Sequence, residues 1–248
     1  MGRTYPPSDT VVFFDVGGTL LEVSPSVGHV YAAACSRMGT QVEPDSVQRA
    51  FDKAWVTLSE QVPRGADRYR AFPGGETAWW EKVSSFAFDQ CGVPLEGRPP
   101  VTELRAVFAG AGAWRVFPET RDALRELQNR GYRLGVLSNW DSRLPALLTT
   151  LELDGFFETI VHSASTGYEK PHPAIFTAAL EAVGARPELT VHIGDRLEED
   201  YAGARAAGMA ALLVSRQSAD AAPGDLSGRV AADNLVRDLH EAVKWIVG

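Results

Sequence analysis

Residues 190–216 read TVHIGD, RLEEDYAGARAAGM and AALLVSR: an apolar run, an amphipathic stretch opened by acids, and a second apolar run. That order is strand, helix, strand. It decides the fold class, because strands joined through a helix run parallel in one sheet. The rhythm extends backwards through RLGVLSN, SRLPALLTTLEL, FETIVHS and AIFTAALEAVGA, beginning near residue 115. None of the apolar runs alternates cleanly, as expected of strands buried on both faces. The early run VVFFDV at residues 11–16 is expected to join the same sheet. The stretch RVFPETRDALRELQNR leads back into it, with Pro118 at the entry of a helix that ends before Gly131. The tail from Ala231 to Val247 reads as a closing helix.

Between Glu22 and Trp114 the texture changes. VGHVYAAACSRMG, DSVQRAFDKAWVTLSEQ, TAWWEKVSSFAFDQCG and VTELRAVFAGAG are helical patterns, and prolines and glycines such as Pro63, Pro73, Gly74 and Pro94 punctuate them. We therefore expect an α/β core from residues 1–21 and 115–248, interrupted by a helical insert at 22–114. The chain has 248 residues and 45% hydrophobic content, enough for a core in each part. A net charge of −8 disfavours nonspecific binding to polyanions, so neither nucleic acid nor an anionic membrane is an expected partner. Cys35 and Cys91 have no metal-ligand spacing and fit two reduced thiols. The opening MGRTYPPSD has no apolar signal region, and no stretch reaches the length of a membrane helix. The expectation is a cytoplasmic protein.

In an open parallel sheet, ligands bind beyond the carboxyl ends of the strands. Four sets of residues fall there: Asp15 after VVFF, Ser138 and Asn139 after RLGVL, Lys170 in GYEKPHP, and Asp195 with Asp200 in GDRLEED. Each has a plain alternative, as a loop cap, a turn residue, a solvated lysine or the acidic start of a helix. Together they supply a nucleophile, a hydroxyl donor, a cation and a carboxylate pair on one rim, the parts of a phosphoryl-transfer site.

The order of FFDVGGTLLE, VLSN, EKPHPAIF and HIGDRLEEDYAGARAAGM resembles the haloacid dehalogenase superfamily across the whole core. The helical insert after the first motif matches members with a helical cap. Within the superfamily, SNWDSRL, GYEKPHPAIF and GDRLEEDYAGARAAGM are similar to the subfamily of haloacid dehalogenase-like hydrolase domain-containing protein 3. The resemblance implies a Rossmann-like three-layer core with an inserted cap, and a magnesium-dependent phosphatase acting on a small phosphorylated substrate through an aspartyl-phosphate. Asp15 would attack, Ser138 would hydrogen-bond the transferring group and Lys170 would neutralise charge. Asp15, the Gly17 carbonyl and Asp195 would hold Mg2+, with Asp200 behind them orienting metal waters or Lys170. Thr19, Asn139 and Trp140 fall on the substrate side, with the Thr19 hydroxyl steadying the loop.

Gly17 departs from that pattern, since family phosphatases carry there a second aspartate that protonates the leaving oxygen and later activates water. Its loss is expected to weaken general acid and base catalysis by about 100- to 10,000-fold. His172 or a residue of the insert could stand in for the acid. Other readings stay open: a 2-haloacid dehalogenase, a carbon–phosphorus hydrolase using Lys53 or Lys82, and a weakened phosphate- or partner-binding protein. DVGGT also resembles the phosphate loop of sugar kinases, but Leu20 stands where those have a lysine. Substrate choice would rest on Arg64, Arg68 and Arg70 with Trp79 and Trp80 in the insert, and on Trp140.

Overall fold

The computed structural model describes residues 5–216 and 229–248, so part of the opening segment read above lies outside it. Among the described residues there are eight strands: β1 (Val11–Phe14), β2 (Leu21–Val23), β3 (Trp114–Val116), β4 (Arg133–Ser138), β5 (Thr159–His162), β6 (Thr190–Gly194), β7 (Ala210–Val214) and β8 (Leu235–Val236). Six of them form one sheet in the order β5-β4-β1-β6-β7-β8, with every neighbouring pair parallel. Short β2 and β3 make a separate two-stranded sheet. The long-range packing divides the described chain into one compact unit of residues 1–22 and 116–248 and another of residues 23–115.

The second unit is helical. Its members are α1 (Val27–Arg37), α2 (Pro44–Ser59), α3 (Arg68–Ala71), α4 (Gly75–Gln90) and α5 (Val101–Ala109). Tyr31, Cys35, Val47, Phe88, Val93 and Leu104 close its interior. Each helix start has a local cause: the Ser26 side chain accepts from the His29 amide, and Pro44 occupies the first turn of α2, where no amide partner is needed. Trp79 is fully buried, edge-on to Trp55, Tyr69 and Phe72 at 5.6, 6.3 and 5.4 Å. Arg68 lies over the Trp55 ring at 4.5 Å and donates to Ser59. Trp79 therefore belongs to the interior of the helical unit and not to a substrate-facing surface, while Arg68 is half-buried and packs on Trp55. A large apolar ring gains more from enclosure than a surface position would give it.

In the α/β unit, α6 (Thr120–Asn129), α7 (Leu144–Thr150), α8 (Ser163–Thr166), α9 (Pro173–Val183), α10 (Gly203–Ala206) and α11 (Leu239–Val247) accompany the sheet. Val11, Phe13, Leu137, Ile175, Phe176 and Ala211 share one core cluster. Close registry is visible where Phe13 pairs with Gly135, since a Cβ at 135 would run into the Phe13 ring. Two expectations need correction. The tail is not one helix: a 3-10 turn at Ala232–Asn234 leads into β8, and α11 starts only after Asp238, whose side chain accepts from the Glu241 amide. Val236 pairs with Val214 there, so burying an edge residue against the sheet outweighs continuing a helix. The stretch RLEEDYAGARAAGM likewise starts as a π-helical turn, Leu197–Ala202, before α10. Among the described residues no helix is long and apolar enough to cross a membrane.

Candidate active site

Strand β1 ends at Phe14, and its extension is fixed by the Asp15 amide donating to the Ile193 carbonyl at 2.8 Å. Asp15 is thereby held at the carboxyl edge of the two central strands, 7% exposed. Lys170 Nζ donates to Asp15 Oδ1 at 2.7 Å, to Asp200 Oδ1 at 2.5 Å and to the Leu137 carbonyl at 2.8 Å. All three donor positions of the ammonium are filled, and its side chain is almost wholly enclosed. Ser138, at the end of β4, is buried with its side chain near enough to Asp15 to lower the carboxyl's pKa. Single carboxylate oxygens of Asp15, Asp195 and Asp200 lie within 4.8 Å of one another. Residues 15, 138, 170, 195 and 200 thus converge at one end of the sheet.

Three carboxylates share one enclosed ammonium, with only the exposed Arg196 guanidinium near Asp195 besides, so negative charge is in excess when all three are ionised. The titration behaviour follows from how they divide that ammonium. Burial would raise Asp200, but the Lys170 charge and the His192 hydrogen bond outweigh it and hold the carboxyl below the usual range. Burial would lower Lys170, yet Asp15 and Asp200 keep it protonated well above an ordinary lysine. Asp15 and Asp195 take the remaining repulsion. Burial, only partly offset by Lys170, pushes Asp15 up. Burial together with the Asp15 and Asp200 charges pushes Asp195 up to about 7. A cluster of hard oxygen donors short of positive charge fits a divalent cation such as Mg2+.

Asp200 itself is tied off by protein. Its Oδ1 receives Lys170 and the His192 ring, and its Oδ2 accepts the Arg196 amide at 2.9 Å. His192 joins the site from inside the buried run of β6, where a histidine in an apolar strand is itself a signal. Its Nε2 is 2.9 Å from Asp200 Oδ1 and its ring meets Phe176 edge-on. Burial holds its pKa down, so the ring is neutral and donates from Nε2 to the carboxylate.

The loop after Asp15 turns through Gly18 at φ +75°, where a Cβ would also collide with the Asp195 carboxylate. Gly18 is therefore required by conformation and by space. Gly17 is not: its backbone lies outside the left-handed region, and a Cβ there would rest 3.4 Å from Trp140 Cζ3, an ordinary contact. Trp140 thus lies beside position 17, its amide held by the Ser163 hydroxyl. Asn139 has a structural occupation: its side chain donates to the Lys170 carbonyl at 3.0 Å and accepts the Lys170 amide at 2.7 Å, fixing the lysine's peptide. The Thr19 side chain is fully buried, and its hydroxyl makes no hydrogen bond among the described residues. His172 caps α9 by accepting from the Ala174 amide and stacks on Tyr168 at 4.5 Å. No hydrogen bond among the described residues joins its ring to Asp15 or Asp195.

A family model described as haloacid dehalogenase-like hydrolase matches residues 10–208. The chain belongs to that family and is a hydrolase of the haloacid dehalogenase-like superfamily. It is 34% identical over 229 residues to haloacid dehalogenase-like hydrolase domain-containing protein 3 of Homo sapiens, covering 91% of this chain and 84% of the relative. It is 40% identical over 216 residues to glyceraldehyde 3-phosphate phosphatase of Methanothermobacter thermautotrophicus, covering 85% and 87%. The structure of L-2-haloacid dehalogenase from Xanthobacter autotrophicus superposes with a TM-score of 0.66 at 20% identity, over 97% of this chain and 99% of that one. That last likeness establishes the fold alone.

Proposed function

We propose that the protein is a magnesium-dependent phosphatase for a small phosphorylated metabolite, with Asp15 as nucleophile. The observation that carries the reading is the charge imbalance around Lys170: three converging carboxylates against one enclosed ammonium. Asp15, Asp195 and the Gly17 carbonyl are the groups that would hold the cation. Bound there, it would supply the positive charge that lets a phosphate dianion approach a carboxylate. Asp15 attacks phosphorus in line, the bond to the leaving oxygen breaks, and the phosphoryl group rests on Asp15 until water cleaves it off. Lys170, already within 2.7 Å of Asp15, lowers the repulsion between nucleophile and phosphate. Ser138 holds a phosphoryl oxygen, with Thr19 and Trp140 on the same side. Asn139 keeps the Lys170 peptide in place. The helical unit, residues 23–115, takes the part of the cap. Two free thiols support a reducing, cytoplasmic setting.

Because position 17 has no side chain, the leaving oxygen draws its proton from solvent, and turnover should favour leaving groups stable as anions. The similarity to a glyceraldehyde 3-phosphate phosphatase supports a phosphorylated substrate. The competing reading is dehalogenation, favoured by the missing acid at Gly17. A haloacid carboxylate would then approach three carboxylates that share one enclosed ammonium. Turnover of p-nitrophenyl phosphate and acetyl phosphate, with and without Mg2+, tests the proposal, with halide release from haloacetates run in parallel. Magnesium-dependent hydrolysis lost in Asp15→Asn is expected. Equal background rates in the two proteins would end the enzyme reading, and metal-free halide release would favour the dehalogenase.

A further inference from the structure

Arg216 stands two residues beyond the end of β7, 198 residues along the chain from the loop it touches. Its Nε donates to the Gly18 carbonyl at 3.1 Å and its Nη2 to the Thr19 carbonyl at 2.6 Å. The Nη1 donates to Glu119, and the guanidinium plane lies 3.6 Å from the centre of the Phe117 ring. Each of its three nitrogens therefore has a partner, and the planar fork is pre-organised to span two successive carbonyls. The same turn satisfies its amides internally: the Thr19, Leu20 and Leu21 amides all converge on the Val16 carbonyl, and the Gly18 amide donates to Leu21. Its two outward carbonyls are what Arg216 takes up.

We infer that Arg216 is a positioning residue for the nucleophile loop. By fixing the peptides of Gly18 and Thr19 it sets the orientation of residues 15–17, including the Gly17 carbonyl, and keeps Gly18 against the Asp195 carboxylate. Glu119, at the start of α6, anchors the guanidinium in turn. The consequence for catalysis rests on the phosphatase reading above; the consequence for the loop does not. A lysine keeps the charge but contacts one carbonyl at most and cannot lie flat on Phe117.

The test compares wild type with Arg216→Ala and Arg216→Lys on p-nitrophenyl phosphate. Both variants are expected to keep KM near the wild-type value and lose about 10- to 100-fold in kcat, the scale of a small misplacement of reacting groups. Guanidinium chloride at about 50 mM, far below unfolding concentrations, should restore part of the Arg216→Ala rate where sodium chloride does not. Wild-type kcat in Arg216→Lys, or a loss that follows the unfolded fraction and resists guanidinium, overturns the inference. Hydrogen exchange of amides 16–21 provides a readout without turnover. Selective acceleration there in Arg216→Ala supports the clamp even if no phosphate ester is hydrolysed by wild type, in which case the phosphatase reading alone fails. Unchanged exchange, or acceleration spread over the whole chain, overturns the clamp.

Discussion

Gly17 is where the residue chemistry is most exposed to test. The structure removes two plain reasons for a glycine there, since its backbone is ordinary and a Cβ would make normal contact with Trp140. Gly17→Asp is therefore expected to fold and to raise turnover of an alkyl phosphate by about 10-fold or more, with a smaller gain on p-nitrophenyl phosphate, as a general acid matters most for poor leaving groups. Steady-state rates on the two esters check this, and equal gains on both would contradict the proton-transfer account. Lys170 is the converse case, a residue whose removal leaves like charges facing one another. Lys170→Met is expected to lower stability by about 3–5 kcal/mol, the usual cost of breaking a buried ion pair from one side, and to abolish turnover. Urea unfolding measures the first and the phosphatase assay the second.

At the scale of elements, strand ends deliver Asp15, Ser138 and Asp195, the α8–α9 loop delivers Lys170 and the turn after β6 delivers Asp200, and the strands themselves are readable as apolar runs. What the runs do not disclose is how closely they approach. Phe13 on β1 faces Gly135 on β4, and the ring occupies the volume a side chain at 135 would need. Gly135→Ala is expected to cost about 1–3 kcal/mol through overpacking, measured by equilibrium denaturation with an unchanged m-value. The acidic segment after β6 shows the same limit. Its composition reads as a helix with acids at the positive end, but the chain winds first as a π-turn at Leu197–Ala202. That turn brings Asp200 back onto the Arg196 amide and within reach of Lys170 and His192. Local propensity could not show this, because Lys170 and His192, the charged and polar partners of Asp200, lie outside the segment. The tail erred for a similar reason, with β8 formed by pairing to β7 and not by its own sequence.

At the scale of the whole molecule, the site couples stability to pH. Asp195 in the folded, metal-free protein titrates at about 7, above its ordinary 3.8. The folded state then binds more protons than the unfolded state between those values, so this group's contribution to stability falls as pH rises from about 4 to 7. The size is at most about 4 kcal/mol, three pKa units at 1.36 kcal/mol each. Thermal unfolding of the chelator-treated protein across that range should show the fall, and Asp195→Asn should flatten it. Added Mg2+ is expected to raise the melting temperature more at pH 8 than at pH 5, because the carboxylates are ionised at the higher pH. A shift independent of pH would count against carboxylate ligation. Asp200 runs the other way: its depressed pKa contributes stability that is lost only as pH falls below about 4.

The sequence by itself determined the parallel α/β core, the helical insert and the candidates Asp15, Ser138, Lys170, Asp195 and Asp200, because apolar periodicity and placement after a strand are local properties of the chain. It did not determine which partners those groups choose. Asn139, a candidate from its place after a strand, also holds the Lys170 peptide, and Arg68 and Trp79 of the insert pack with Trp55. His192 joins Asp200 from within a strand, and Arg216 reaches Gly18 across 198 residues. Such contacts depend on strand order and on the sharing of a few buried charges, which emerge only when distant segments share one dry volume. Tertiary structure alone decided them.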